Sequence, residues 1–415
     1  MENIKTTPVK GTRDYNPKEM QYVQFALDCV RTVYSKNGFS QIKTPILENL
    51  ELLSKGDNGD NSKMMFQTVK RGAKLVLDKP NLTVSDIVEE GLRYDLTVPL
   101  TRFFAGNLNN LPLPFKAYQI GESFRAEKPQ KARDREFIQC DIDIFGDYSN
   151  LAEIEIITSA MQVYSALNLE SVTFKINDRR ILSSVIEFSG FSKEDEPQIL
   201  IEIDKADKIG FNGVKDELLK LNFDASKVEK FIQSVIQISK NGLNEVVKFG
   251  VDIEIVNSLK EIIDVVTKFA PKNYDIKFDT SIIRGQSYYT GVVFEAFYNG
   301  SSITRAIGGG GRYDKMLGKY LNKSIPAVGL GLGLVGCVLI LMEKQAKINK
   351  NKKIAVLYNE NSNDEKMAIK TKLMKDYEVC LMPEPKNYNA LINKLTWVGF
   401  DGLYKMNENK FIWFD

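Results

Sequence analysis

The sequence predicts an α+β protein in which helices flank an antiparallel sheet, and three observations support this fold class. Apolar and polar residues alternate along two neighbouring stretches within residues 115–146, the pattern of a long antiparallel hairpin. Lys-rich segments from about Ile181 to Ala270 repeat apolar residues at helical spacing. The end of the chain alternates strand and helix patterns in the order β-α-β-α-β-β. We therefore predict a sheet domain from 1–180 and 271–343, a helical insertion at 181–270 and a small α/β domain at 352–415.

The composition is that of a soluble globular protein, with 43% hydrophobic and 27% charged residues in a chain of 415. A net charge of +2 permits contact with nucleic acid but does not argue for it. The sequence has no apolar run near the roughly 20 residues that span a bilayer, and it begins without a signal-peptide core. These features predict a cytoplasmic protein without membrane association. Reduced thiols, with no disulfide framework and no zinc site, are predicted by the unpaired spacing of Cys29, Cys140, Cys337 and Cys380.

Histidine is absent from the sequence. Its absence excludes histidine-based acid–base catalysis, a Ser-His-Asp triad and histidine metal sites. We interpret the absence as compositional drift. The alternative is that a protein which handles histidine avoids requiring it.

The predicted hairpin has one apolar and one polar face, because strand side chains alternate with a period of two. The apolar face of its second strand carries Ile138, Cys140, Ile142 and Ile144, and the polar face carries Arg135, Gln139, Asp141 and Asp143. Basic residues of the connection are grouped near Arg125, as in an anion clamp for phosphate: Lys128, Lys131, Arg133 and Arg135. Two interpretations remain open, a solvated sheet face and a site for a small zwitterion with phosphate. We slightly favour the site.

The elements before and after the hairpin follow from the same periodicities. Glu19–Lys36 has an apolar stripe at helical spacing and is predicted to be a helix. Gly38–Leu53 predicts a short strand followed by a helix. Met65–Leu77 predicts a second hairpin, with its turn at Arg71–Gly72. Ile154–Leu167 predicts another helix.

Four stretches of the chain resemble motifs of one enzyme family. Residues 124–146, FRAEKPQKARDREFIQCDIDIFG, are similar to motif 2 of class II aminoacyl-tRNA synthetases in the form seen in histidyl-tRNA synthetase. The others resemble that family's N-terminal signature, its amino-acid-binding segment and its two histidine-specific motifs: KGTRDYNP at Lys10–Pro17, GLRYDLTVPLTR at Gly91–Arg102, and RGQSYYTGVVFE at Arg284–Glu295 with GGGGRYD at Gly308–Asp314. Four ordered matches over roughly the first 340 residues are far more specific than any single motif.

The resemblance implies a class II synthetase-type antiparallel sheet, a helical insertion near the acceptor arm of tRNA and a C-terminal domain similar to an anticodon-binding domain. It implies a histidine–tRNA ligase, which activates histidine with ATP to histidyl-adenylate and transfers the histidyl group to tRNA. ATP would be a substrate, bound with Mg²⁺, and no metal would be held by protein side chains alone. The implied partners are histidine, ATP, tRNA and a second copy of the chain, joined as a homodimer through the motif 1 region, Gly38–Leu53.

The resemblance also implies roles for particular residues. Arg125 would contact the α-phosphate of ATP, Glu127 the adenine and Arg133 the outer phosphates. Arg284 and Arg125 would be catalytic, because their positive charges would stabilise the negative charge that develops at the α-phosphate. The histidine substrate would be bound by Asp95 and Thr97 at its α-amino group, by Gln139 and Asp143, and by Tyr288 and Tyr289 around the imidazole.

Several positions depart from the family's motifs. In motif 3, which covers Pro326–Leu341, the usual Glu and Arg positions are Val335 and Gly336. Loss of that charge-assisted contact to the γ-phosphate would cost on the order of 1.5–3 kcal/mol, about one to two decades in rate or affinity. The other departures are Ala132 in place of glycine, Gln286-Ser287 in place of Leu-Asp, and a short C-terminal domain.

These departures leave an alternative function open. A non-catalytic paralogue that binds histidine, such as a regulatory subunit of ATP phosphoribosyltransferase, would reuse the fold without the C-terminal domain. A ligase-derived enzyme acting on another amine or acid is a third possibility. We favour the ligase, because a regulator has no use for ATP-binding residues such as Arg125, Glu127, Arg133 and Arg284.

Overall fold

The computed structural model describes residues 6–55, 64–75, 77–129, 133–283, 288–321, 323–348 and 350–414. They divide into two compact units. The larger consists of Lys10–Thr12 and Cys29–Cys337, and the smaller of the described parts of Met1–Val9, Arg13–Asp28 and Val338–Asp415. The helical insertion at 181–270 as a separate domain, and the other predicted domain boundaries, stay predictions.

The larger unit is built on two sheets. Its strands are, in chain order, β1 (Ser40–Gln41), β2 (Leu47–Asn49), β3 (Gln67–Val69), β4 (Val88–Leu92), β5 (Phe115–Phe124), β6 (Glu136–Phe145), β7 (Val172–Asp178), β8 (Asp275–Phe278), β9 (Val292–Tyr298), β10 (Gly308–Arg312) and β11 (Ala327–Gly333). The main sheet has the order β1-β5-β6-β11-β10-β9-β7-β8, and a small sheet has the order β2-β4-β3. In the main sheet β1 and β8 pair in parallel with their neighbours, and the pairs between them are antiparallel.

Helices flank these sheets. The helices before residue 344 are, in chain order, α1 (Pro17–Lys36), α2 (Leu50–Lys55), α3 (Val84–Ile87), α4 (Thr97–Asn107), α5 (Leu151–Ala166), α6 (Arg179–Phe188), α7 (Glu196–Ile203), α8 (Ala206–Lys220), α9 (Ala225–Asn241), α10 (Ile253–Phe269) and α11 (Leu334–Glu343). Of these, α1 and α11 belong partly to the smaller unit. A reciprocal cap begins α1: Glu19 N–H donates to Asn16 Oδ1 at 2.9 Å, and Asn16 N–H donates to Glu19 Oε2 at 2.8 Å. The predicted α+β class, the helix at 19–36 and the helical character of 181–270 are confirmed. No helix among the described residues has the length and apolar character needed to cross a bilayer.

The predicted central hairpin is confirmed as the pair β5–β6, with Phe115 opposite Phe145 and Phe124 opposite Glu136. Its polar face is not solvated, because Asp141 and Asp143 are only 2% and 1% exposed. Segments distant in sequence cover this face. Gln119 Nε2 donates to the Leu96 carbonyl at 3.0 Å, and the Tyr313 hydroxyl donates to Asp143 Oδ1 at 2.5 Å. The interpretation as a solvated face is therefore wrong.

The second predicted hairpin, within Met65–Leu77, is wrong. β3 pairs with β4, which lies further along the chain, and Gly72–Lys74 forms a 3-10 turn instead of a strand. A strand ending at Leu77 would have little to bury, since that side chain is 64% exposed. Residues 67–69 thus pair with a strand about 20 positions further along the chain.

The smaller unit has a four-stranded sheet. Its elements are β12 (Lys352–Tyr358), α12 (Asn363–Leu373), β13 (Tyr377–Pro383), α13 (Tyr388–Trp397), β14 (Gly402–Lys405) and β15 (Lys410–Trp413). The strand order is β13-β12-β14-β15, and the sheet packs an apolar cluster on each face. The predicted β-α-β-α-β-β order is confirmed.

Candidate active site

A cleft of about 450 Å³ lies on the polar face of β5 and β6, within the larger unit. The cleft collects most of the residues that the sequence predicts for the site. Those that line it are Asp95, Thr97, Arg125, Glu127, Arg133, Gln139, Tyr288 and Tyr289. Asp143 is not among its lining residues and lies next to it, against Gly329 of β11. Arg284 lies outside the described residues.

Asp95 and Thr97 stand at the N-terminus of α4. Asp95 Oδ1 accepts a hydrogen bond from Val98 N–H at 3.0 Å, which satisfies one of the free amides of the helix end. The other oxygen, Oδ2, is buried and has no hydrogen-bond partner in the described part of the chain. Burial raises the pKa of Asp95 to about 6. The helix end therefore presents one carboxylate oxygen that can accept a donor from a ligand.

The second strand of the hairpin contributes three polar side chains on one face. Gln139 Nε2 donates to Asp141 Oδ2 at 3.0 Å, and Tyr313 donates to Asp143 Oδ1. Oxygens without a hydrogen-bond partner among the described residues remain on Gln139, Asp141 and Asp143. Burial raises the pKa of Asp143 to about 7, and burial with repulsion from Asp143 raises the pKa of Asp141. Buried acceptors without partners are costly, so this face is suited to a ligand that brings N–H donors.

Alternate glycines of β11 leave room for these side chains. A Cβ at Gly329 would lie 1.9 Å from Asp143 Oδ1. A Cβ at Gly331 would lie 2.7 Å from Gln139 Nε2 and 3.0 Å from Asp141 Oδ1. Both strands are hydrogen-bonded neighbours in the main sheet, with Gly331 opposite Asp141. The glycines therefore form a floor on which polar groups can meet a ligand closely.

Two arginines of the hairpin reach the cleft. Arg125 Nε donates to the Tyr94 carbonyl at 3.0 Å, and its guanidinium lies 5.1 Å from the centre of the Phe137 ring. Arg133 forms an ion pair with Glu127. The carbonyl bond and the ring fix the plane of the Arg125 guanidinium, which leaves its terminal nitrogens for an anion.

The predicted clamp of basic residues is only partly correct. Arg135 Nε donates to the Glu127 carbonyl at 3.0 Å and Nη1 to the Lys10 carbonyl at 3.3 Å, so it fastens the N-terminal segment to the hairpin. Arg135 and Lys128 are not among the residues that line the cleft, and Lys131 lies outside the described residues. The alternation that predicted the direction of Arg135 fails because β6 begins one residue later.

Aromatic rings line another part of the cleft. Tyr288 and Tyr289 have ring centres 4.7 Å apart, and the Tyr313 ring is 5.9 Å from that of Tyr288. All three side chains are less than 9% exposed. The predicted tyrosine pair is thus joined by a third tyrosine that also orients Asp143.

Sequence reasoning left some lining residues without a role. They are Met64, Phe137, Asp141, Asp204, Ala306, Gly308, Gly309, Tyr313 and the β11 residues 329–333. The alternation of glycine with leucine in GLGLG was a usable signal, since such a strand has one bare face. Asp204, at the end of α7, had no signal, because only the tertiary fold brings it to the cleft.

Gly336 lies in the first turn of α11, three residues after Gly333, which lines the cleft. A Cβ at Gly336 would meet only Ile307 Cγ2, at an ordinary 3.6 Å. The position of the missing motif 3 arginine therefore accepts a Cβ without displacing a neighbour.

Solved structures of other proteins share the fold of this chain. A solved structure described as a histidyl-tRNA synthetase from Nostoc sp. PCC 7120 aligns with a TM-score of 0.74 over 99% of this chain and 97% of that chain, at 23% identity. A structure described as an ATP phosphoribosyltransferase regulatory subunit/histidyl-tRNA synthetase from Bacillus halodurans aligns with a TM-score of 0.75 over 97% and 99%, at 17% identity. The fold is that of a class II aminoacyl-tRNA synthetase.

Sequence comparison defines the family. A profile described as Histidyl-tRNA synthetase matches residues 11–336. The histidine–tRNA ligase of Leifsonia xyli subsp. xyli is 35% identical over 410 residues, covering 95% of this chain and 94% of that protein. The histidine–tRNA ligase of Flavobacterium johnsoniae is 33% identical over 371 residues, covering 81% and 77%. The chain belongs to the histidyl-tRNA synthetase family.

Proposed function

We propose that the protein is a histidine–tRNA ligase. In its first reaction a carboxylate oxygen of histidine attacks the α-phosphorus of ATP, and pyrophosphate leaves. In its second reaction a ribose hydroxyl of tRNA attacks the carbonyl of histidyl-adenylate, and AMP leaves. The observation that carries the proposal is the convergence of buried, unpartnered acceptors and an oriented guanidinium in one cleft.

The acceptors of the cleft suit the substrate amino acid. Asp95 Oδ2 would accept from the α-ammonium group, with Thr97 and Gln139 beside it. Asp143, held by the Tyr313 hydroxyl, would accept from an imidazole N–H, with Tyr288 and Tyr289 around the ring.

The cationic part of the cleft suits ATP. Arg125 would bind the α-phosphate, Arg133 the outer phosphates and Glu127 the adenine amine. Arg284 would stabilise the charge that develops at phosphorus, and Mg²⁺ bound to the phosphates would screen their repulsion. The attacking carboxylate is already a nucleophile. The reaction therefore depends on position and charge stabilisation, which a chain without histidine can supply.

Two further parts of the proposal concern partners. A homodimer through 38–53 is supported by Ile46 and Leu47, which are 37% and 40% exposed at the small sheet. The protein would bind tRNA, the substrate that the names of its ligase relatives give, and would act in the cytoplasm. A regulatory subunit is not favoured, because the ligase from Leifsonia covers 95% of the chain, and the uncovered 5% is far shorter than the C-terminal segment 352–415.

Exchange of labelled pyrophosphate into ATP, dependent on histidine, tests the activation step. We expect exchange with histidine and none with lysine or glutamine. Arg125→Ala and Arg284→Ala should each lower it by about 10²–10³-fold, since a donor to the transition state is lost. Arg71→Ala, at an exposed arginine that is not among the residues lining the cleft, is the control. Measurable histidine binding without exchange would contradict the ligase and support the regulatory function.

A further inference from the structure

Asp141 has no role in the proposed function, although it lines the cleft and is only 2% exposed. It lies on β6 between Gln139 and Asp143, two residues with proposed substrate contacts. A carboxylate at such a position costs free energy unless its oxygens are partnered. Its presence therefore needs a ligand or a neighbour that compensates the burial.

Asp141 and Asp95 show the same pattern of partners. In each carboxylate one oxygen accepts from a protein N–H at 3.0 Å, which is Val98 N–H for Asp95 and Gln139 Nε2 for Asp141. The second oxygen of each, Asp95 Oδ2 and Asp141 Oδ1, is buried without a hydrogen-bond partner in the described chain. Gly331 brings no side chain against Asp141 Oδ1, which would lie 3.0 Å from a Cβ at that position.

Neighbouring arginines direct their hydrogen bonds elsewhere. Arg93 donates to the carbonyl oxygens of Glu122 at 2.7 Å and Thr44 at 2.9 Å. Arg125 Nε donates to the Tyr94 carbonyl at 3.0 Å. These cations lower the electrostatic cost of the carboxylates without satisfying their free oxygens. An N–H donor from a bound ligand would satisfy them.

We infer that Asp141 is a second carboxylate for the α-ammonium group of the substrate, so that Asp141 and Asp95 bind this group together. The inference rests on the proposed function. An ammonium group has three N–H donors, enough for both free oxygens and one further acceptor. Affinity for the amino acid then depends on its amine more strongly than a single carboxylate would allow.

The charges around Asp141 agree with a cationic ligand. Among the described residues it is faced by Asp143 on its own strand, by Asp95 and Arg93 from the segment before α4, and by Arg125 from the hairpin. Burial, with repulsion from the two aspartates, raises the pKa of Asp141. An ammonium group bound between these carboxylates would offset their repulsion.

Calorimetry with the full-length protein tests the inference by comparing the affinities of two ligands. One is histidine, and the other is 3-(imidazol-4-yl)propionate, an analogue that differs from histidine only by the missing amine. In wild type, histidine should bind much more tightly. Asp141→Asn, which keeps shape but not charge, should weaken histidine about 10- to 100-fold and leave the analogue nearly unchanged. The amine preference, which is the affinity for histidine divided by the affinity for the analogue, should therefore fall by that factor. Asp141→Ala provides the same comparison if the amide variant unfolds.

Asp143→Asn is the matched control. It should weaken both ligands by a similar factor and preserve the amine preference, because the imidazole is common to both. An unchanged preference in both Asp141 variants, with histidine still bound, would overturn the inference while leaving the proposed function intact. Failure of the wild-type protein to bind histidine would instead overturn the proposed function.

Discussion

Asp95, Asp141 and Asp143 are 3%, 2% and 1% exposed, although each can carry a full charge. Their pKa values are raised mainly by burial, to about 6 for Asp95 and about 7 for Asp143. A folded pKa above the unfolded value stabilises the protein below the unfolded pKa, and that stability is lost as pH rises through the folded pKa. These buried carboxylates thus lower the stability of the unliganded protein near neutral pH, and they provide hydrogen-bond acceptors for a ligand.

A substitution at Asp143 measures this cost. In the unliganded protein, Asp143 should reduce stability progressively between about pH 4 and pH 7, by at most about 1.4 kcal/mol per pH unit. Asp143→Asn removes the titration, while its amide oxygen still accepts from Tyr313. The thermal unfolding midpoint of the variant minus that of wild type should therefore be larger at pH 8 than at pH 5.

The control is Asp376→Asn, at an exposed aspartate of the smaller unit, which should follow wild type at both values of pH. An Asp143 variant that parallels wild type from pH 5 to pH 8 would show that Asp143 does not change its charge in this range.

Strand alternation was enough to predict the hairpin and the side chains that share its polar face. It could not show that the face is buried, because the covering groups, Leu96 and Tyr313, come from segments distant in sequence. It also failed at Arg135, which precedes β6 and turns to backbone carbonyls. Local periodicity specifies direction within a strand and says nothing about what packs over it.

The start of α11 is where the sequence departs most from its family. A Cβ at Gly336 would meet no close neighbour, and arginine is a better helix former than glycine by about 0.7 kcal/mol. Gly336→Arg should therefore raise the unfolding temperature slightly. Under the proposed function it should also lower KM for ATP in pyrophosphate exchange by about 10- to 100-fold, through one restored phosphate contact.

Gly336→Leu is the matched control, since it adds a good helix former without charge. It should give the increase in stability and leave KM for ATP unchanged. Equal KM values for wild type and the arginine variant would mean that the arginine at this position does not reach the nucleotide.

At the scale of the whole molecule, composition and repeating patterns predicted the α+β class and the small C-terminal sheet. They could not predict the strand order β1-β5-β6-β11-β10-β9-β7-β8, because pairing between β6 and β11 joins residues almost 200 positions apart. The site depends on that pairing, since it places Gly329 and Gly331 opposite Asp143 and Asp141. The individual sequence motifs were enough to predict the site residues. Their arrangement in one cleft depends on the order of the strands in the sheet.

The smaller unit gives a prediction for the tRNA step. Trp413 is 42% exposed, stacks on Phe411 with ring centres 5.4 Å apart, and has Lys352 Nζ 4.3 Å above its ring. An exposed aromatic ring beside a lysine is suited to stacking with an unpaired base. Trp413→Ala should therefore lower kcat/KM for tRNA aminoacylation about five- to a hundredfold and leave pyrophosphate exchange unchanged.

Trp397→Ala, at a 63% exposed tryptophan on α13 of the same unit, is the control and should change neither reaction. Equal losses in exchange and aminoacylation for Trp413→Ala, or equal effects of the two tryptophan variants, would show that Trp413 serves packing and not tRNA.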